Sequence, residues 1–215
     1  GVNEPTVKFS PTAHPHPDFI MYHDLHFRAM NTDINAWLWS EDSSTAQCAL
    51  RDVEQFFHET QRRFTRFEPG SELSALNASA GQPFAASAQL FEVVDLALKL
   101  SVATEGLFNP TIIGALEAAG YDRTFEAINS TATTRPPVTS KVSAASAIRL
   151  DAVRQTITLP ADVRIDLGGI AKGWAAQTAA QQLAHYGPCL IDAGGDMMTI
   201  GTVPGTRDWS IEVAD

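Results

Sequence analysis

A carboxylate, a glycine pair and a lysine fall within one short stretch, Asp166-Leu167-Gly168-Gly169-Ile170-Ala171-Lys172-Gly173. Val163-Arg164-Ile165-Asp166 reads as a strand, and a helix is predicted from about Ile170 to His185. The glycines permit close backbone approach and unusual dihedrals. The first-turn N–H groups and the positive end of the helix dipole favour an anion. Lys172 adds a point charge. Asp166 at the strand end could meet a metal, a ring N–H or a ribose hydroxyl. The spacing fits neither GxxxxGK[ST] nor GxGxxG. The plain alternative is a tight strand-to-helix turn with a solvated lysine.

A second turn, Asp192-Ala193-Gly194-Gly195-Asp196, has carboxylates on both sides of a glycine pair. Such oxygens suit a hard cation such as Mg²⁺. They could equally cap backbone N–H groups around a bulge. His23 and His26 lie three apart on a predicted strand and so point to opposite faces, which is poor metal geometry. Of the cysteines, Cys48 and Cys189, neither sits in a CxxC pair, and both read as buried thiols.

These turns need elements to hold them. Residues 1–21 are rich in Pro and His and read as an irregular arm. From Tyr22 to Trp39 the alternation is strand-like, with a break at Asn31-Thr32-Asp33. A helix is predicted from about Ser43 to Arg66, capped by Ser43 or Ser44, with Leu50, Val53, Phe57 and Phe64 on one face. Glu68-Pro69-Gly70-Ser71 is a turn. A second helix runs from about Ser87 to Thr104 and is stopped by Gly106, and a short one covers Ile112 to Ala119. Residues 129–147 read as a mobile loop. Ile148 to Leu159 reads as a hairpin, Leu190 to Ala193 and Met197 to Ile200 as strands, and Trp209 to Val213 alternates like another. Helices and strands are mixed, so the class is α+β or α/β.

The formal net charge is -10 over 215 residues. That argues against nucleic acid as a partner, because phosphate contacts need clustered Lys and Arg. An anionic ligand would have to be held by local devices. No apolar run approaches the ~20 residues of a transmembrane segment.

The motifs taken together resemble the ApbE family, the FAD:protein FMN transferases. Ala29-Met30-Asn31-Thr32 is similar to its Met-Gly-Thr segment. Phe67-Glu68-Pro69-Gly70-Ser71-Glu72-Leu73-Ser74-Ala75-Leu76-Asn77 is similar to its aromatic-x-x-x-Ser-x-Leu-x-x-x-Asn segment. Thr104-Glu105-Gly106-Leu107-Phe108-Asn109-Pro110-Thr111 is similar to its Gly-x-Phe-Asp-x-Thr segment. Gly120-Tyr121-Asp122, the Asp-x-Gly-Gly-x-x-Lys-Gly segment at 166–173 and Gly194-Gly195-Asp196 follow in the family's order.

The resemblance implies an α+β fold of mixed sheets packed with helices, a two-lobed single domain over residues 22–215. It implies Mg²⁺-dependent transfer of FMN from FAD to a Ser or Thr hydroxyl of a target flavoprotein, with release of AMP. Two other activities stay open: FAD binding without catalysis, and FAD pyrophosphatase action giving FMN and AMP. On the family pattern, Met30 and Phe67 line the flavin. Leu107, Phe108, Asn109 and Asp166 hold the FAD, Lys172 meets its pyrophosphate, and the Gly169 carbonyl is a metal ligand. An extracytoplasmic or membrane-associated location is implied as well. Asn31 stands where the family has Gly, and Asn109 where it has Asp. The family's C-terminal part carries an Asp and a Thr that complete the metal site, so the sequence is expected to be C-terminally incomplete.

Overall fold

The structure, a computed structural model, describes residues 21–119, 145–203, 206 and 209. The expected arm (apart from Met21), the Gly120-Tyr121-Asp122 motif, the loop up to residue 144 and the strand beyond Trp209 lie outside the described residues. The chain divides into two compact units, one of residues 1–60 and 172–215 and one of residues 61–171.

The first unit is built on strands β1 (Met21–Ala29), β2 (Thr32–Ser40), β6 (Cys189–Ala193) and β7 (Asp196–Ile200), all antiparallel in the order β1-β2-β6-β7. Its register pairs Phe27 with Ile34 and Ile34 with Ala193. Alternate residues therefore share a face. Phe27, Ile34, Ala36, Leu38 and Ile191 are buried on one side. Helix α1 (Ser43–Phe64) meets that side through Phe57, whose ring lies 5.6 Å from Phe27. On the other side Trp37, Trp39 and Leu190 form a cluster covered by Val203 and Trp209. Strand β2 is buried on both faces, which explains its continuous apolar run, Ala36 to Trp39. Helix α5 (Ala171–Leu183) packs Trp174 against Phe56 of α1 at 5.8 Å.

The predicted face of α1 holds, with Leu50, Val53, Phe57 and Phe64 all buried. Its cap differs from the expected Ser43 or Ser44. Asp42 Oδ1 accepts the N–H groups of Ser44 and Thr45 at 2.9 and 3.2 Å, and Oδ2 accepts the Thr45 hydroxyl at 2.6 Å. Those bonds, the Thr45 hydroxyl first, hold the Asp42 carboxyl below the usual range. A carboxylate satisfies more orphan donors than a serine can.

The second unit contains α2 (Glu72–Ala78), β3 (Pro83–Ala85), α3 (Ala88–Ala103), α4 (Ile113–Ala118), β4 (Arg149–Asp151) and β5 (Thr156–Thr158). Its sheet is antiparallel in the order β3-β5-β4, with Ile157 paired to both Phe84 and Leu150. The predicted hairpin is β4–β5. Helix α3 begins at its cap Ser87 and ends before Glu105 and Gly106, both in the left-handed region at φ 53° and 85°. Helix α2 escapes a pattern reading, being a short run of seven residues. It forms because Ser71 caps it, accepting from Ser74 N–H at 3.0 Å. Glu72 then bonds Ser87 N–H and hydroxyl at 2.6 and 2.7 Å, joining the start of α2 to the start of α3. Both expected strands 190–193 and 197–200 form, whereas 163–166 is not in any sheet.

The thiols differ from the expected pair of buried groups. Cys189 is buried and donates to the Ala180 carbonyl at 3.3 Å, but Cys48 is exposed on α1. Burial pushes the Cys189 thiol up to about 11. A thiol reagent at neutral pH should therefore label Cys48 and spare Cys189 until the chain is denatured. Peptide mass spectrometry checks this, and labelling of Cys189 in the folded protein would contradict it.

Candidate functional site

In the second unit the site grows from the segment Val163–Leu167. Val163, Ile165 and Leu167 are buried while Arg164 is exposed, so the period of two that suggested a strand is real. No strand among the described residues pairs with it. Asn77, at the end of α2, supplies the missing neighbour. Its Oδ1 accepts Ile165 N–H at 2.8 Å, and its Nδ2 donates to Ile165 C=O at 3.0 Å. The next N–H, of Asp166, donates to the Pro110 carbonyl at 2.8 Å. Arg164 makes a two-pronged ion pair with Glu117 of α4 at 2.9 and 2.7 Å, which raises its guanidinium pKa.

Asp166 is already engaged. Its Oδ1 accepts Gly168 N–H at 2.8 Å, and its Oδ2 lies 2.8 Å from Arg66 Nε. The Arg66 guanidinium also sits 4.3 Å from the centroid of the Phe67 ring. Phe67 is 39% exposed and Leu107 94%, so neither is used up by the core. Phe108 approaches the turn, since a Cβ at Gly169 would lie 3.1 Å from its ring. Space, rather than the unusual dihedrals expected, is thus what favours glycine at 169, because neither Gly168 nor Gly169 has positive φ. Asn109 Oδ1 accepts both the N–H and the hydroxyl of Thr111 at 2.9 Å. An amide oxygen serves that loop bond as well as a carboxylate oxygen would, so Asn in place of Asp keeps the turn.

The unit therefore brings together Phe67, Phe108, Asp166 and Gly169, with Asn109 beside them in the loop that Pro110 anchors. Met30 and Lys172 belong to the first unit. Lys172 is half-buried in the first turn of α5. Met30 and Asn31 form the two-residue turn between β1 and β2, at φ 51° and 63°. Hairpins of this kind need left-handed dihedrals at both positions. Asn accepts that conformation nearly as well as Gly, which accounts for Asn31; Met does not, so Met30 is held there at a cost of about 1 kcal/mol. At the same end of the sheet, Gly194 and Gly195 turn at φ 62° and 92°. A Cβ on Gly194 would lie 2.1 Å from Thr32 Oγ1. The Met30-Asn31-Thr32 and Gly194-Gly195-Asp196 motifs thus pack on each other. Asp192 is buried and its Oδ1 accepts Gly195 N–H at 2.8 Å, the capping role rather than the cation role.

A resident magnesium ion wants about six oxygens in near-octahedral order. Among the described residues no group of three or more His, Cys, Asp or Glu could hold a metal. Asp166 is committed to Arg66 and Gly168, and Asp192 to Gly195. The Gly169 carbonyl alone does not make a site, so the described residues do not fit Mg²⁺ by themselves. Two residues of the arrangement carry no role in the family-derived site: Asn77 and Arg66. Asn77 closes one of the family-like segments, and Arg66 is the last residue of the predicted first helix, where nothing in the sequence marks it out.

Replacing Asn77 by Ala removes both bonds to a fully buried segment. The expected loss of stability is about 2–3 kcal/mol, read as a lower urea midpoint with unchanged slope. A change under about 0.5 kcal/mol would show that the segment does not lean on Asn77.

The chain is similar to known proteins over most of its length. An FAD:protein FMN transferase of Rhodobacter capsulatus is 31% identical over 179 residues, covering 79% of this chain and 33% of its own. One from Vibrio cholerae is 25% identical over 177 residues, covering 80% and 51%. The chain thus spans between a third and about half of the length of these curated relatives. Among solved structures, an ApbE protein of Thermotoga maritima superposes with a TM-score of 0.75 at 22% identity, over 88% of this chain and 62% of that one. The apo flavinyl transferase ApbE of Pseudomonas stutzeri gives 0.75 at 15% identity, over 94% and 70%. These likenesses establish the α+β fold of helices with antiparallel sheets. No helix among the described residues is long and apolar enough to cross a membrane. The model of the ApbE family matches residues 30–215, and the chain belongs to that family.

Proposed function

We propose that this chain is the FAD-holding part of an FAD:protein FMN transferase. The observation that carries the reading is the 166–169 turn, which presents its backbone at the start of α5 and is braced by Asn77, Pro110 and Arg66. The N–H groups of Gly168, Ile170 and Ala171 are donated within the turn, to Asp166 Oδ1 and the Leu167 carbonyl, so the reading rests on the positive end of the α5 dipole, with the charge of Lys172 added there. Phe67 and Leu107 offer apolar surface to a flavin ring.

In the transfer, an acceptor Ser or Thr hydroxyl oxygen bonds to the FMN phosphorus. The pyrophosphate bridge breaks, AMP leaves with the bridging oxygen, and the hydroxyl proton passes to solvent. Positioning and charge neutralisation supply most of the catalysis in such a step. The chain's own part is to hold the dinucleotide still and to meet its phosphates with N–H groups and an ammonium. Mg²⁺ is expected to assist in the whole protein, with most of its ligands drawn from outside the described residues. An extracytoplasmic or membrane-associated location, as the family resemblance implies, is proposed as well.

The test is to incubate the full-length protein with FAD, Mg²⁺ and a candidate flavoprotein domain. Covalent flavin on a Ser or Thr of the target is the expected product. Free FMN and AMP without labelling would instead assign a pyrophosphatase, and bound, unchanged FAD a binding protein. Lys172→Ala should weaken FAD binding about tenfold or more, equivalent to ~1.4 kcal/mol, with thermal stability within about 0.5 kcal/mol of wild type. Unchanged affinity and rate would remove Lys172 from the site.

A further inference from the structure

Arg66 lies two residues beyond the end of α1, yet its side chain is only 10% exposed. A cation so far from water needs its charge answered. Asp166, itself 18% exposed, answers it through Oδ2 at 2.8 Å. The second carboxylate oxygen is turned to Gly168 N–H at 2.8 Å. The carboxylate therefore has one oxygen on the guanidinium and the other on the turn's backbone. The guanidinium is also placed on the Phe67 ring, 4.3 Å from its centroid, while 39% of that residue's surface stays open. One arginine thus touches two of the segments of this unit that carry the flavin reading.

We propose that Arg66 is a positioning residue for the flavin dinucleotide. Through Asp166, which takes the Gly168 N–H, it fixes the turn that aims the start of α5 at the phosphates, and by backing the Phe67 ring it sets the surface that meets the flavin. Asp166 then acts through the turn instead of touching the ligand. The planar fork of an arginine bonds a carboxylate edge-on while its face lies on an aromatic ring, and a lysine ammonium does not do both. The two functions are therefore separable by substitution. The proposal rests on the FAD reading above, and its test is chosen to tell the two apart.

The variants are Arg66→Met and Arg66→Lys in the full-length protein. Three quantities are measured: FAD affinity with the bound-flavin absorption spectrum, ADP affinity as a flavin-free probe, and amide hydrogen exchange at Gly168. Arg66→Met should lose about tenfold or more in affinity for both FAD and ADP, with Gly168 exchanging about tenfold faster. Arg66→Lys should keep ADP affinity within about threefold and keep Gly168 protected, because an ammonium still pairs with Asp166. Its flavin spectrum should differ from wild type and its FAD affinity should fall, because the ring has lost its backing. Adding Asp166→Asn to Arg66→Met should restore part of the lost affinity, since the unanswered carboxylate is then removed. FAD affinity within about twofold of wild type in Arg66→Met, with Gly168 exchange unchanged, would overturn the proposal. So would a lysine variant that matches wild type in spectrum and affinity, since the ring contact would then do nothing. Should the wild type bind neither FAD nor ADP while Gly168 exchange still depends on Arg66, the flavin reading fails and the ion pair is merely structural.

Discussion

A buried extended segment without a sheet is the constraint on which the second unit depends. Ile165 and Leu167 are fully buried, so their backbone groups are far from water. Such groups must find partners, each unmet one costing about 1–3 kcal/mol. A sheet would supply them generically. Here the Asn77 amide and the Pro110 carbonyl supply them instead, from the end of α2 and from the 107–111 loop. The separate motifs around Phe67–Asn77, Leu107–Thr111 and Asp166–Lys172 are thereby one mechanical object. The segment entering the third leans on the first through Asn77 and on the second through Pro110.

The first unit solves a similar problem by steric fit. Two left-handed turns, Met30-Asn31 and Gly194-Gly195, lie at one end of the same antiparallel sheet. Gly194 N–H donates to the Asp33 carbonyl at 3.2 Å, and Thr32 fills the space where a Gly194 side chain would stand. A side chain at 194 would collide with buried Thr32, so the two motifs constrain each other although they are far apart in sequence. The buried carboxylate of Asp192 belongs to this fit, since it caps the turn that Gly195 makes.

What was legible follows from which signals are periodic. The apolar face of α1 and the alternation of the hairpin strands are repeated patterns, and both form as the sequence predicts, whereas the α1 cap, a single local choice, falls to Asp42. Residues 163–166 also alternate correctly, yet alternation reports which side chains are buried and says nothing of what bonds the backbone. A side-chain amide in place of a neighbouring strand leaves no periodic trace. Helix α2 was missed because seven residues span about two turns, too short for a face to show. Cys48 was misplaced because residue type was used where helix position decides. The site residues taken from the family pattern were Met30, Phe67, Leu107, Phe108, Asn109, Asp166, Gly169 and Lys172. Arg66 was absent from that set because a cation after a helix is usually solvated, and its burial comes from the distant Asp166.

The pairing of Arg66 with Asp166 also bears on how an acidic chain can hold an anion. The formal charge of -10 disfavours a dinucleotide at long range, although screening confines most of that effect to about 10 Å in ordinary salt. A lone carboxylate in the turn would be worse, since it would stand within a few ångströms of the phosphates in a partly dry site. Neutralised by Arg66, it contributes little net charge and still orients the Gly168 N–H. What then meets an anion is the positive end of the α5 dipole, with the ammonium of Lys172 added. On this argument the carboxylate is tolerable in a phosphate-binding segment because its charge is spent before the ligand arrives. An Arg66 substitution that leaves Asp166 ionised should therefore impair anion binding more than removal of both charges does.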